Sequence, residues 1–254
     1  MKVRILGCGT STGVPKIGNE WGSCDPAEPR NARLRTSILV ESGGERLLVD
    51  CGPDLRQQLL AAEAGRLDGV IVTHAHGDHC HGIDELRPVS QAIGHPVPLY
   101  ARREVLDELE LRFSYAFKRS SFYRPIVEAR ELSDELIFGE CRTRFVDQPH
   151  GGPMSLGLRF DEGSSSVVYA VDFSGLTDEM QRLYQGVDVW IADCLTRTPH
   201  PTHMHLDGLL GAARDLGVGQ LYLVHMGNSL DYRTLVAELP DWAAPGYDGL
   251  EFSA

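Results

Sequence analysis

Residues 73–79 read Thr73-His74-Ala75-His76-Gly77-Asp78-His79, which places four metal-capable side chains within six positions. At the chain's own histidine and aspartate frequencies, an H-x-H-x-D-H string arises by chance in on the order of one chain in a thousand. It follows a strand-like apolar run, Gly69–Thr73. In an extended turn, His74 and His76 project to one side and can share a cation, while Asp78 and His79 face a second position. Imidazole and carboxylate without thiolate suit zinc, manganese or iron. The plain alternative is a histidine-rich surface loop.

Two cations need further donors, and the chain offers them at strand ends. His150 follows the strand-like run Thr143–Asp147, Asp172 closes Ser166–Asp172, and His225 closes Gln220–His225. Asp50 ends Arg46–Asp50, and Asp193 ends Asp188–Asp193. Ligand sites in α/β proteins favour the carboxyl ends of strands, so the five endings Asp50, His74, Asp172, Asp193 and His225 point to a site. One carboxylate, Asp172, can bridge two cations about 3.5–4 Å apart. Taken singly, each of these residues reads more simply as a turn or cap.

Strand-like and helix-like runs alternate along the whole chain. Early strands come as hairpins, with Gly43-Gly44 between two of them. Later strands alternate with helices over Asp178–Tyr184, Leu206–Leu216 and Tyr232–Leu239, and Gly65, Gly186 and Gly217 stand where C-terminal caps belong. This mixture predicts an α/β architecture of sheets between helical layers. With no linker or repeat, residues 1–254 are expected to form one domain.

Charge narrows the partners. The 254 residues carry a formal net charge of −12, and the only lysines are Lys2, Lys16 and Lys118. A nucleic-acid-binding surface needs a basic stripe. The densest basic stretch, Arg30–Arg35, reads as a solvated loop, so nucleic acid is not the expected partner. No apolar run approaches the roughly 18 residues of a membrane span, and the N-terminus lacks a secretory core. A cytoplasmic protein without a membrane partner is expected. Cys8, Cys24, Cys51, Cys80, Cys141 and Cys194 are spread without a CxxC pair, which predicts buried small hydrophobes and no disulfide framework.

With these residues in this order, the chain resembles the metallo-β-lactamase-fold hydrolases along nearly its whole length. The resemblance implies a four-layer αββα sandwich. It also implies two divalent metal ions, zinc or manganese with iron possible. Metal one would take His74, His76 and His150, metal two would take Asp78, His79 and His225, and Asp172 would bridge. Asp50 would lie behind these ligands and hold the histidine turn by hydrogen bonds. An aspartate bridge, where the best-known β-lactamases use cysteine, argues against antibiotic hydrolysis.

The opening Leu6-Gly7-Cys8-Gly9-Thr10-Ser11-Thr12-Gly13-Val14-Pro15 is similar to the start of the phosphodiesterase branch. That branch includes phosphoribosyl cyclic phosphodiesterases and the tRNA 3′-processing endonucleases. A turn of this kind can aim backbone N–H groups at a phosphate, which makes Ser11 and Thr12 candidate substrate contacts. His203 lies 22 residues before His225. In register it matches the histidine that serves the cyclic phosphodiesterases as general acid, and His205 is its rival for that role or for substrate binding. The branch's phosphonate-pathway members also hold a structural zinc with three cysteines and a late histidine. Here only Cys24 and Asn228 stand at those places, so that zinc is not expected.

The sequence thus predicts a dinuclear hydrolase of a small phosphodiester, such as a cyclic nucleotide or ribose cyclic phosphate. A hydroxide shared by the metals would attack, with Asp78 among the reacting groups and His203 protonating the leaving oxygen. The alternatives are tRNA 3′-end processing and thioester or lactone hydrolysis on the same fold. The aromatic stretch Phe113–Phe117 with Phe122 and Tyr123, and Trp21 by the first loop, are candidates for a cleft wall, for core packing or for a homodimer contact.

Overall fold

The computed structural model describes residues 1–119 and 122–254. Two seven-stranded sheets lie face to face. In the first, β1 (Lys2–Gly7), β2 (Ser37–Ser42), β3 (Glu45–Val49), β4 (Gly69–Ile71), β5 (Val97–Ala101) and β6 (Val127–Glu131) follow in chain order, with β14 (Glu251–Ser253) outside β1. The second runs β7 (Glu135–Phe138), β8 (Cys141–Pro149), β9 (Met154–Glu162), β10 (Ser165–Ala170), β11 (Val189–Asp193), β12 (Gln220–Val224) and β13 (Ala243–Pro245). Each sheet joins an antiparallel meander to a parallel half, with β3 and β10 at the changeover.

Alternation along the strands builds the layers. Ile38, Val40, Leu47, Val49 and Ile71 enter the core shared with the second sheet. Their neighbours Leu39, Leu48, Val70 and Val72 enter a separate core. That core is completed by helices Leu55–Ala61, Leu86–Ile93 and Arg103–Arg112, through Leu55, Leu59, Leu86, Val89, Leu106 and Leu109. A period of two with apolar residues on both faces marks strands covered on both sides. Helices Asp178–Tyr184, Leu206–Asp215 and Tyr232–Glu238 cover the second sheet with Met180, Tyr184, Leu209 and Leu235. The result is the expected αββα sandwich. Among the described residues, no helix is long and apolar enough to cross a membrane.

Several local expectations change. Strands β6, β7 and β13 are not evident from the sequence: β6 is largely polar, β13 has three residues and ends in proline, and β7 has only four residues. Gly43 and Gly44 do take positive φ (57° and 86°) and close the β2–β3 hairpin, as do Gly186 and Gly217 after their helices. The first helix instead ends before Gly65, and Glu63 takes the left-handed conformation (φ 51°). The Arg30–Arg35 stretch is solvated only in part: Arg30 and Ala32 are exposed, but Asn31 and Arg33 are buried. Arg33 is buried and donates to the carbonyls of Gly227 (3.1 Å) and Leu230 (2.5 Å), while Arg30 stacks between Tyr232 and Tyr247. Arg35 pairs with Asp54 at 3.1 Å. A buried guanidinium needs most of its donors satisfied, and here chain carbonyls supply the acceptors.

Candidate metal centre

The H-x-H-x-D-H segment is an extended turn only in its first half. His76 caps a short helix, Gly77–Cys80, which carries Asp78 and His79. The extended part brings His74 and His76 together, and the helical turn swings Asp78 and His79 to the other side. Close packing holds the turn: a Cβ at Gly52 would lie 2.0 Å from the carbonyl oxygen of Asp78.

Three site residues end their strands with left-handed backbone: Asp50 (φ 64°), Asp172 (φ 56°) and His225 (φ 55°). Non-glycine residues seldom adopt this region, and they cluster at functional sites when they do. The conformation breaks the strand and turns the side chain into the space between the sheets' carboxyl ends.

Two groups of donors meet there. His74 Nε2 lies 2.9 Å from His76 Nδ1 and 3.2 Å from Asp172 Oδ2, and His150 Nε2 lies 3.3 Å from the same oxygen. His79 Nε2 stands 3.2 Å from Asp78 Oδ2 and 3.5 Å from Asp172 Oδ2. His225 Nε2 is 3.4 Å from Asp78 Oδ2 and 3.1 Å from Asp172 Oδ1. A cation held at ~2.0–2.1 Å by tetrahedral donors sets them about 3.3 Å apart. The buried His79 Nε2 and Asp172 Oδ1 have no hydrogen-bond partner. Buried polar atoms are rarely left so, and this donor set suits divalent cations. Each of the seven residues expected as ligands is in one group or the other, and Asp172 belongs to both.

Hydrogen bonds behind the donors set their tautomers. Asp50 accepts from Thr73 N (2.8 Å), Thr73 Oγ1 (3.1 Å) and His79 Nδ1 (2.7 Å). With its proton on Asp50, the Thr73 hydroxyl can only accept from His74 Nδ1 at 3.0 Å. His150 Nδ1 donates to the carbonyl of Thr202 at 2.9 Å. In each of these three rings Nδ1 is the donor and Nε2 is the nitrogen left facing the cluster, as outer hydrogen bonds arrange for metal-binding imidazoles. Asp50 therefore stands where expected.

The electrostatics divide the rings. Burial, with His79 nearby, lowers His74 to about 4, so it is neutral. Burial also lowers His150. For His225 burial opposes charge, but Asp172, Asp193 and Asp78 overcome it and raise the ring to about 10. His79 is likewise raised against its burial, by Asp50, Asp78 and Asp172.

His203 and His205 separate cleanly. His203 Nδ1 donates to Asp193 Oδ2 at 2.8 Å, and its ring stacks on His225 (5.1 Å) and meets His150 edge-on (4.9 Å). His205 instead packs its ring against Gly208 of the helix it precedes. Asp193 was visible in the sequence as a strand-end carboxylate, but nothing there linked it to His203. The buried carboxylate also has Oδ1 3.6 Å from His225 Nδ1, a charge contact without a hydrogen bond.

The glycine-rich opening turn is mostly a strut. Gly9 N–H donates to Leu34, Thr10 N–H to Met226 just after His225, and Gly13 N–H to Thr10. Asp248 accepts from the amides of Cys8 (3.0 Å) and Leu34 (2.7 Å), beneath the same turn. Ser11 and Thr12 are exposed at its tip, beside Arg35, whose Nε donates to Ser11 O at 3.2 Å. Where a structural zinc was not expected, Cys24 Sγ donates to the carbonyls of Asn228 and Leu230 (3.5 Å each), with Arg33 alongside. All six cysteines are buried and free. The aromatic stretch does not wall the centre: Phe113 and Phe117 pack on the helix-covered core, and Tyr115 bonds Asp84.

Residues 45–226 match the family described as beta-lactamase superfamily domain. The chain belongs to this superfamily. A solved structure described as a new diphosphatase from the PhnP family shares 32% identity, covers 99% of this chain and 97% of its own, and superposes with a TM-score of 0.90. A protein of Porphyromonas gingivalis named octanoyltransferase is 30% identical over 257 residues, 99% of this chain, but the chain spans only 51% of that relative's length. A ribonuclease Z of a Bradyrhizobium species is 48% identical over 60 residues, 23% of this chain and 20% of its own. The membership accords with the two groups of histidine and aspartate donors, which could each hold a metal ion.

Proposed function

We propose that the protein hydrolyses a phosphodiester, or a phosphoanhydride-linked diester, of a small molecule. His74, His76 and His150 hold one divalent cation, Asp78, His79 and His225 hold a second, and Asp172 bridges them. Bound there, the cations supply an acidified water and neutralise phosphoryl charge. The observation that carries the reading is the His203–Asp193 pair set against both groups. Asp193 holds the Nδ1 hydrogen and fixes the ring, so Nε2 is the nitrogen left to hand a proton to a leaving alkoxide. His203 is not needed to complete either group of ligands. The PhnP-family diphosphatase supports the same chemical class.

A tRNA substrate is disfavoured by the net charge of −12, and the ribonuclease Z likeness covers 23% of the chain. A second reading, hydrolysis of an acyl thioester, is favoured by the octanoyltransferase relative. Almost half of that relative lies outside the match, so its transfer activity need not reside in the part resembling this chain. The deciding experiment is a turnover panel with manganese and with zinc. It sets bis-p-nitrophenyl phosphate, cyclic nucleotides and a dinucleoside diphosphate against precursor tRNA and an octanoyl thioester. Small phosphorus esters should lead. Precursor tRNA or the thioester turned over with equal or greater efficiency would overturn the proposal.

A further inference from the structure

A cleft of about 880 Å³ opens beside His74 and His76. Clefts of ~300–1,000 Å³ take whole drug-sized ligands, so there is space for more than a bare cyclic phosphate. Three arginines line it, and each is already paired. Arg102 Nε binds Asp147 at 2.9 Å, Arg103 binds Asp107 at 3.0 Å and Glu131 at 3.9 Å, and Arg112 holds Glu108 and the carbonyl of Ala75. Against these three cations the lining sets four carboxylates, Glu104, Glu108, Glu131 and Asp147. A second phosphate would meet no surplus of positive charge. Hydroxyl groups fit better, because they can donate to the carboxylates and accept from the guanidinium edges. Val105, Leu132, Pro153 and Met154 add apolar surface, with Met154 49% exposed at the start of β9. Hydroxyls next to a flat apolar face describe a nucleoside.

The cleft also has a side. It reaches the centre past His74 and His76, whereas His203 does not line it and stands against His150 and His225. In hydrolysis the bond from phosphorus to the leaving oxygen breaks, the oxygen of water joins phosphorus, and the leaving oxygen takes a proton. That oxygen must lie at His203, so the cleft receives the arm that stays on phosphorus. We infer that the cleft is a subsite for a neutral nucleoside, held as the retained arm of the ester. The inference rests on the phosphodiesterase reading above.

The test uses metal-loaded protein and three esters with one leaving group. These are methyl p-nitrophenyl phosphate, thymidine 5′-(p-nitrophenyl phosphate), and the latter carrying a 3′-phosphate. The thymidine ester should exceed the methyl ester in kcat/KM by about tenfold or more, the effect of one well-seated group. The 3′-phosphate should remove much of that gain. Met154→Asp should bring the thymidine-to-methyl ratio toward one, and Glu131→Arg should favour the 3′-phosphorylated ester. Equal wild-type efficiencies for thymidine and methyl, or a gain from the 3′-phosphate, would overturn the subsite. If no ester is cleaved, the phosphodiesterase reading fails, and calorimetry with thymidine 5′-monophosphate against methyl phosphate judges the cleft separately. Tighter binding of the nucleotide upholds it, and equal binding rejects it.

Discussion

In the proposed reaction His203 and Asp193 act apart from the two groups of cation ligands, although they also lie within reach of Asp172 and His225. His203→Ala should retain both cations and lose roughly 10²–10⁴-fold in rate, the usual worth of a positioned acid. The loss should shrink for p-nitrophenyl esters, whose leaving group needs little protonation. Rates and metal analysis on the same preparations check this, and a lost metal would make His203 a ligand. His205, turned onto Gly208, should tolerate alanine with a much smaller change. Asp193→Asn keeps the size of the side chain but weakens the hydrogen bond that orients His203 Nδ1. A loss of about 10–100-fold in rate is expected, typical of a partner behind a functional histidine, with metal content unchanged. Asp172→Ala removes the one side chain shared by both groups, so metal content should fall from two ions per chain as activity is lost.

At the scale of elements, the site depends on how closely turns pass each other. The turn after β3 crosses the helical turn Gly77–Cys80, and Cys51 N–H donates to His79 O at 2.8 Å. Gly52→Ala would put a methyl group 2.0 Å from the Asp78 carbonyl, so one turn must move. Lower unfolding stability and weaker metal binding should appear together. Gly211 is the contrast: it lies in helix Leu206–Asp215, and a Cβ there meets nothing within 4 Å. Gly211→Ala should stabilise by about 0.5–1 kcal/mol through helix propensity alone, measurable by urea unfolding, with metal affinity unchanged.

For the whole molecule, the centre couples folding to metal and to protons. In the metal-free protein, His225 is raised to about 10 and His79 is also raised by surrounding carboxylates. His225 is therefore protonated near neutral pH, and His79 is shifted in the same direction. Their ion pairs stabilise the metal-free fold fully below the ordinary histidine pKa, and that contribution is lost as pH rises through the folded values. A cation must displace these protons. Metal uptake at neutral pH should release protons, shown by calorimetry in buffers of different ionisation enthalpy, and affinity should rise with pH. Chelation should lower the unfolding temperature. A pH-independent affinity without proton release would contradict the assigned charge states.

The sequence by itself determined which residues gather at the centre. Strand-end histidines and aspartates in a fixed order are a local pattern, and alternating apolar strands require two covered sheets whatever the details. The clustered donors and the sandwich were legible for that reason. Tertiary structure decided what depends on long-range approach or on backbone strain. Asp193 meets His203 only because β11 ends beside the segment leading into the following helix. Arg33 became a buried brace only because the carbonyls of Gly227 and Leu230 come to it from almost two hundred residues away. The left-handed φ of Asp50, Asp172 and His225 is only weakly marked by residue type, since Asp and His enter this region more readily than most side chains but do so only where surrounding packing over-determines the backbone.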